Sequence, residues 1–282
     1  MRLNQGGTMD KISNAADFIA QLRFALKQEP DIPKDIRPED PLSGYAVQEE
    51  LVKRLLSENA GHIAGYKVAC TNILAQKLLG VDTPFYGRLL SHVVYRSPAN
   101  LNPDDFSMRC IEAEFAFEMA EDLPRENAPY DADRVAAAVS ALVPAIEIVD
   151  TRYKEWTKVS VPSLIADNGC NGAWVMGDSC KDWHQFDLKT HQVDLIVNGE
   201  PKLRGSGSEV LGHPLNSLTW LANALCEHGK FLKAGDLIST GVCTDLYLAE
   251  PGDELVADFG KLGTVSLTFS GTSQPGKAGN ED

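Results

Sequence analysis

A chain of 282 residues, 43% hydrophobic and 23% charged, has ample length for a sizeable core and is long for one small domain but short for three. Its net charge of -14 gives it no electrostatic reason to bind nucleic acid or an anionic membrane, and no apolar run approaches the roughly 18 residues of a membrane span. Six cysteines without a CxxC pair or zinc-type spacing point to reduced, mostly buried thiols in a cytoplasmic protein.

Residues 1–12 lack the apolar core of a signal peptide and are expected to be disordered, with Met9 as an alternative start. Ala16, Ile19, Ala20, Leu22, Phe24 and Leu26 recur at helical spacing, which predicts a helix over 14–29. A loop with four prolines follows, then an amphipathic helix over 46–56. IAGYKVA reads as a short strand, and TNILAQKLLG as a helix closed by Gly80.

From about residue 86 short apolar stretches recur between turn signals: HVVYR, RCIEAEFAFEM, LVPAIEIVD, GAWVMG, QVDLIVNG, DLISTGV, DELVADF and GTVSLTF. Asn198-Gly199 is a hairpin signal, and LRGSGS, residues 203–208, reads as a flexible polar loop. Helices are predicted over 132–142 and 213–229, the second with Pro214 in its first turn. The chain divides into a helical region (1–64), a β-rich catalytic domain (65–270) and a disordered tail (271–282), an α+β organisation.

Within RCIEAEFAFEM, Glu112 and Glu114 share one side of the strand, roughly 7 Å apart along it. Glu147, in VPAIEIVD, is a third carboxylate with apolar neighbours on both sides. Adjacent buried carboxylates either share protons or enclose a cation, and all-oxygen ligation suits a hard divalent ion such as Mg²⁺ or Mn²⁺. The residues alone leave a second reading open, a half-exposed strand with its glutamates in water, which the matching parity of Glu118 favours.

Taken together, GYKVACT (65–71), LLGVD (78–82), IEAEFAF (111–117), LVPAIEIVDTR (142–152), IADNGCNG (165–172), GSGSEVLGHPLNSLTWLAN (205–223) and LISTGV (237–242) carry a resemblance. The chain resembles the 2-keto-4-pentenoate hydratase branch of the fumarylacetoacetate hydrolase superfamily, which includes 4-oxalocrotonate decarboxylase. The resemblance implies a mixed β-barrel or β-roll preceded by a small helical part. It also implies Mg²⁺ or Mn²⁺ held by Glu112, Glu114 and Glu147. Lys67 corresponds to a lysine that reaches the active site; apolar neighbours and a nearby cation would lower its pKa and make it a proton shuttle. Ala69 stands where relatives often have glycine.

Asp167 and Asn168 match a polar turn lining the substrate site, Asp167 as a candidate for orienting water or Lys67. Thr240 and Gly241 match a pair that contacts the substrate carboxylate. Phe85 stands where many hydratases have an acidic residue; Arg88 is either a partner for a second carboxylate or a surface cation. His213 is read as structural, and Cys170 has no evident base. The implied substrate is a small 2-hydroxy-2,4-dienoic acid or its 2-oxo tautomer, hydrated to a 4-hydroxy-2-oxo acid. Decarboxylation of a 2-oxo-dienedioate, hydrolysis of an acylpyruvate and a non-catalytic partner subunit are the alternatives. The implied assembly is a homo-oligomer that associates with a related hydratase or decarboxylase or a downstream aldolase.

Overall fold

The computed structural model describes residues 5–270. Among these residues six α-helices and thirteen strands follow in chain order. They are α1 (Gln5–Phe24), α2 (Pro41–Asn59), β1 (Ile63–Ala69), α3 (Ile73–Leu79), β2 (Phe85–Leu90), β3 (Val94–Arg96), β4 (Ala99–Leu101), β5 (Cys110–Met119), α4 (Ala132–Ala137) and β6 (Val139–Val149). Then come α5 (Val161–Ala166), β7 (Asn171–Met176), β8 (Gln192–Val197), β9 (Glu200–Ser206), α6 (Pro214–Glu227), β10 (Leu237–Val242), β11 (Tyr247–Leu248), β12 (Glu254–Asp258) and β13 (Thr264–Phe269).

Local chemistry explains the boundaries. Asp40 and Ser43 close a reciprocal capping box ahead of α2, with Pro41 at its first position, and Ala60 ends the helix in the left-handed conformation. Asn72 caps α3 and Gly80 closes it at φ 66°. His213 Nδ1 accepts from the Leu215 amide at the start of α6, the structural role expected of it. Asn198 and Gly199, at φ 53° and 82°, turn β8 into β9.

The larger sheet is mixed, in the order β2-β1-β10-β5-β6-β7-β3, with β11 pairing to β5; the smaller runs β4-β13-β12-β8-β9. Their apolar faces meet in one core in which Phe115, Phe117, Phe259, Val265 and Leu267 are all buried. The β-roll read from the sequence is therefore present, with both sheets open at their edges. A second core gathers α1, α2 and α5 around Ile19, Leu51, Leu55, Tyr153 and Leu164. Gln48 of α2, fully buried, donates to the carbonyls of Tyr86 and Ile165, tying this helical layer to β2.

Several boundaries differ from expectation. α1 begins at Gln5, so residues 5–12 are helical, while residues 1–4 and the tail 271–282 lie outside the described residues. The helix predicted over 132–142 stops at Ala137, because Val139, Ala141 and Leu142 pair with Met119, Glu118 and Phe117 of β5. Residues 203–206 belong to β9 and pair with β8, so that stretch is a strand where a flexible loop was expected.

Candidate active site

β5 lies between β10 and β6, so its residues are among the most enclosed in the sheet. Glu112 of β5 stands directly opposite Glu147 of β6 in the antiparallel ladder, and Glu114 opposite Ala145. Alternation along β5 puts Glu112 and Glu114 on one face, and the ladder brings Glu147 to them. Each of the three offers a carboxylate oxygen, all within 4.8 Å of one another. Glu114 and Glu147 are fully buried, and Glu112 is partly open.

β10 closes this cage from the other side. Its register with β5 shifts between Ser239 and Val242, an irregularity of the kind that re-aims groups beside a site. Glu114 Oε2 accepts from the Ser239 hydroxyl and from the Gly241 amide at 3.2 Å. Trp174 Nε1 in turn donates to Ser239 Oγ at 2.8 Å. On the opposite wall, Glu147 Oε1 accepts from Asn171 Nδ2 at 3.0 Å and lies 3.2 Å from Lys67 Nζ.

Two buried carboxylate oxygens, Glu114 Oε1 and Glu147 Oε2, have no hydrogen-bond partner. Unpartnered buried acceptors of this charge are costly, and a hard cation is the partner that three converging carboxylates accept best. The residues present therefore fit a divalent ion. The electrostatics agree. Burial, with the Glu147 charge, pushes Glu112 up to about 7 despite Lys67 nearby. Burial and the charges of Glu147 and Glu112 raise Glu114 well above the ordinary carboxyl range.

Lys67 of β1 reaches the same cage, donating to the Gly169 carbonyl at 3.0 Å. Burial on its own would lower its pKa, but the charges of Glu147, Glu112 and Glu114 outweigh it and raise the lysine above its ordinary value. The lowered pKa expected near a cation is thus reversed when the carboxylate charge is uncompensated.

A cleft of about 520 Å³ opens over this cage. Lys67, Thr71, Glu112, Gly169 and Gly241 line its floor, while Leu74, Leu78, Phe85, Trp156 and Leu246 supply apolar wall. Leu74 and Leu78 of α3 and Leu246 are exposed at the mouth.

Other expected residues turn away from it. Asp167 does not line the cleft; its Oδ1 pairs with Arg23 of α1 at 2.8 Å, and its Oδ2 accepts from the Arg152 amide at 2.9 Å. Both oxygens thus face Arg23 and the Arg152 backbone, away from Lys67 and the cleft. Asn168 is clamped to the backbone of Arg88, accepting from its amide at 2.8 Å and donating to its carbonyl at 2.9 Å. Arg88 is buried against α2, donating to Gln48 and Glu49 at 2.6 Å each; it is neither a surface cation nor a cleft residue. Thr240 gives its hydroxyl to the Phe115 carbonyl at 2.7 Å, leaving Gly241 as the member of that pair in the cleft. Cys170 is buried, its thiol pushed up to about 12 chiefly by burial, which makes it a poor nucleophile.

Thr71, Asn171 and Ser239 were missed. Thr71 lies past the end of β1 and after a left-handed Cys70, so strand parity from Lys67 does not reach it; the partners of Asn171 and Ser239 are 24 and 125 residues away, and no local pattern marks them.

Residues 44–270 match the family model described as fumarylacetoacetate (FAA) hydrolase C-terminal. The 2-keto-4-pentenoate hydratase of Paraburkholderia xenovorans is 31% identical over 234 residues, covering 83% of this chain and 86% of that protein. A 4-oxalocrotonate decarboxylase of Pseudomonas putida is 32% identical over 225 residues, covering 80% and 84%. A solved 4-oxalocrotonate decarboxylase from Pseudomonas putida, complexed with magnesium and adipate, superposes with a TM-score of 0.86 at 29% identity, covering 92% of this chain and 97% of that one.

Proposed function

Because this chain belongs to the fumarylacetoacetate hydrolase C-terminal family, we propose that it is a divalent-metal-dependent lyase that hydrates a 2-hydroxy-2,4-dienoic acid to a 4-hydroxy-2-oxo acid. The observation that carries this reading is the converging trio Glu112, Glu114 and Glu147, the last beside Lys67, with Glu112 and Lys67 opening into a largely apolar cleft. The three glutamates would hold Mg²⁺ or Mn²⁺. Bound there, the ion supplies positive charge for the C2 oxygen of the oxo acid and offsets the carboxylate field that otherwise keeps Lys67 protonated. Lys67 holds its proton at Nζ, beside Glu147 and Gly169 O, delivers it to the substrate carbon during ketonisation and takes back the proton that the C2 hydroxyl gives up. Leu74, Leu78 and Trp156 exclude water from the substrate's tail.

The cleft favours hydration over decarboxylation of a diacid. Among the described lining residues the cations are Lys67 and Arg204. Arg204 pairs with both oxygens of Asp194, at 2.6 and 2.8 Å, and Lys67 lies beside Glu147 and the Gly169 carbonyl, so neither stands unpaired opposite a second, distal carboxylate. No histidine lines the cleft among the described residues, which removes the water-activating pair an acylpyruvate hydrolase would use; His62 is exposed on the approach to β1.

The test is to supply the purified chain and Mg²⁺ with 2-hydroxypenta-2,4-dienoate and, separately, with a 2-oxo-dienedioate, following ultraviolet absorbance and released CO₂. Loss of dienoate absorbance without CO₂ is expected. Release of CO₂ from the diacid as the faster reaction would replace this reading with the decarboxylase, and turnover of neither would leave the partner-subunit alternative. The proposal extends to a cytoplasmic homo-oligomer, able to pair with a related hydratase or decarboxylase or a downstream aldolase. Family membership supports this, and light scattering tests it. No helix among the described residues is long and apolar enough to cross a membrane.

A further inference from the structure

The hydroxyl of Thr71 has no task in the chemistry above. Thr71 is 2% exposed, and its Oγ1 has no hydrogen-bond partner, yet it lines the cleft. Buried hydroxyls are nearly always paired, so an orphan calls for an explanation. The other hydroxyls of the lining each have a partner: Thr244 donates to the Asp245 carbonyl at 3.0 Å, and Thr151 Oγ1 accepts from the Tyr153 amide at 3.2 Å.

The backbone is shaped to keep Thr71 where it is. β1 ends at Ala69, and Cys70, buried, then takes a left-handed φ of 63°. A non-glycine residue in that region is strained, and such strain concentrates at binding and catalytic sites. The Thr71 carbonyl accepts from the Leu211 amide at 2.8 Å, and the next residue, Asn72, caps α3. Thr71 is thus fixed by its neighbours on both sides.

Its hydroxyl faces Gly241 at close range: a Cβ built on Gly241 would lie 1.9 Å from Thr71 Oγ1. The amide of that same glycine donates to Glu114. The unpaired hydroxyl therefore sits at the edge of the carboxylate cage, on the floor of the cleft and away from its apolar mouth.

Resting on the reading of this cleft as an oxo-acid site, we propose that Thr71 Oγ donates a hydrogen bond to the carboxylate of the bound 2-oxo acid, and so fixes which end of the substrate enters first. A neutral donor suits an anionic head group that must approach three glutamates. The Leu74, Leu78 and Trp156 wall offers a carboxylate nothing and takes the tail.

The test is calorimetric binding of oxalate, a non-reacting mimic of the head group, to the full chain at saturating Mg²⁺. Thr71→Val and Thr71→Ala should each weaken oxalate by about tenfold or more, tenfold being about 1.4 kcal/mol, with Mg²⁺ affinity unchanged. Thr71→Ser should stay within about threefold of the parent. Unaltered oxalate binding in the Val and Ala variants would overturn the proposal, as would a Ser variant weakened as much as Val, or a parent chain that binds no oxalate. If one apolar variant fails to fold, the other decides. A parent chain that binds oxalate through Thr71 but hydrates no dienoate sinks the proposed reaction and leaves this assignment standing. A chain that hydrates the dienoate equally well, with the same oxalate affinity, after Thr71→Val does the reverse.

Discussion

Raising the pH of the metal-free chain is the most direct perturbation of the carboxylate cage. Glu112 is pushed up to about 7 and Glu114 well above its ordinary range, both mainly by burial. Below pH 7 a cation entering the cage must displace at least one proton. For each proton displaced, apparent Mg²⁺ affinity falls about tenfold per pH unit, so a fall from pH 7 to 5.5 costs about 30-fold for one proton and about 1000-fold for two. The sign for stability follows from the same protons. A carboxyl raised in the folded chain binds protons more tightly there than in the unfolded one, so metal-free stability falls as pH rises from the ordinary 4.5 towards 7. For Glu112 the loss is at most about 3 kcal/mol, an upper bound because the group is partly open to the cleft. That corresponds to about 6–12 °C in Tm, to be restored by Mg²⁺ at pH 7.5 and far less at pH 5. Calorimetry in buffers of different ionisation enthalpy counts the protons released, with one to two per Mg²⁺ expected near pH 6; Glu112→Gln should remove one. Mg²⁺ affinity that is flat from pH 5.5 to 7 without proton release would refute the reasoning.

Glu114→Ala should abolish turnover and leave the chain soluble, as followed by dienoate absorbance and size exclusion; activity near that of the parent would reject the metal cage. Arg23→Met strips the buried Asp167 carboxylate of its counter-ion and removes a 3.0 Å hydrogen bond to the Asn171 carbonyl. A loss of about 3–5 kcal/mol is expected in chemical denaturation, with part of it recovered by adding Asp167→Asn, and a change under 1 kcal/mol would contradict the charge argument. Gly241→Ala forces a methyl against Thr71 at a backbone φ of 107°. It should cost about 1–3 kcal/mol in the same assay and weaken Mg²⁺ through the displaced Glu114.

Strand parity made Glu112 and Glu114 legible as a pair, because one face of a pleat is readable from spacing alone. Glu147 joined them only through the resemblance, since its place opposite Glu112 depends on the register of β5 and β6, which spacing along the chain does not carry. Lys67 came from resemblance; on spacing it is one more lysine in a short strand. The misreadings share a cause. Asn168, Gly169 and Cys170 all adopt positive φ, and this turn aims Asp167 at Arg23, 144 residues away. A motif says which residues adjoin along the chain and is silent on which way a left-handed turn presents them. Arg88 went astray for the complementary reason. All six residues of β2 are buried, so the strand has no alternation to reveal a face, and its ion pair with Glu49 depends on how α2 docks.

The cage takes its spacing from the pleat and the ladder, with packing only supporting it. Two of its acids are consecutive same-side positions of one strand, and the third lies directly across the adjacent one, so backbone hydrogen bonds set their separations. Reshaping the apolar side of β5 by swapping one hydrocarbon for another should leave the acids in place. Inserting or deleting a single residue between Cys110 and Glu114 would instead turn acids into the hydrocarbon interior and phenylalanines towards the cleft. A change in the length of that one strand segment therefore disturbs the cage more than a change of equal size in a surface loop or a cleft wall.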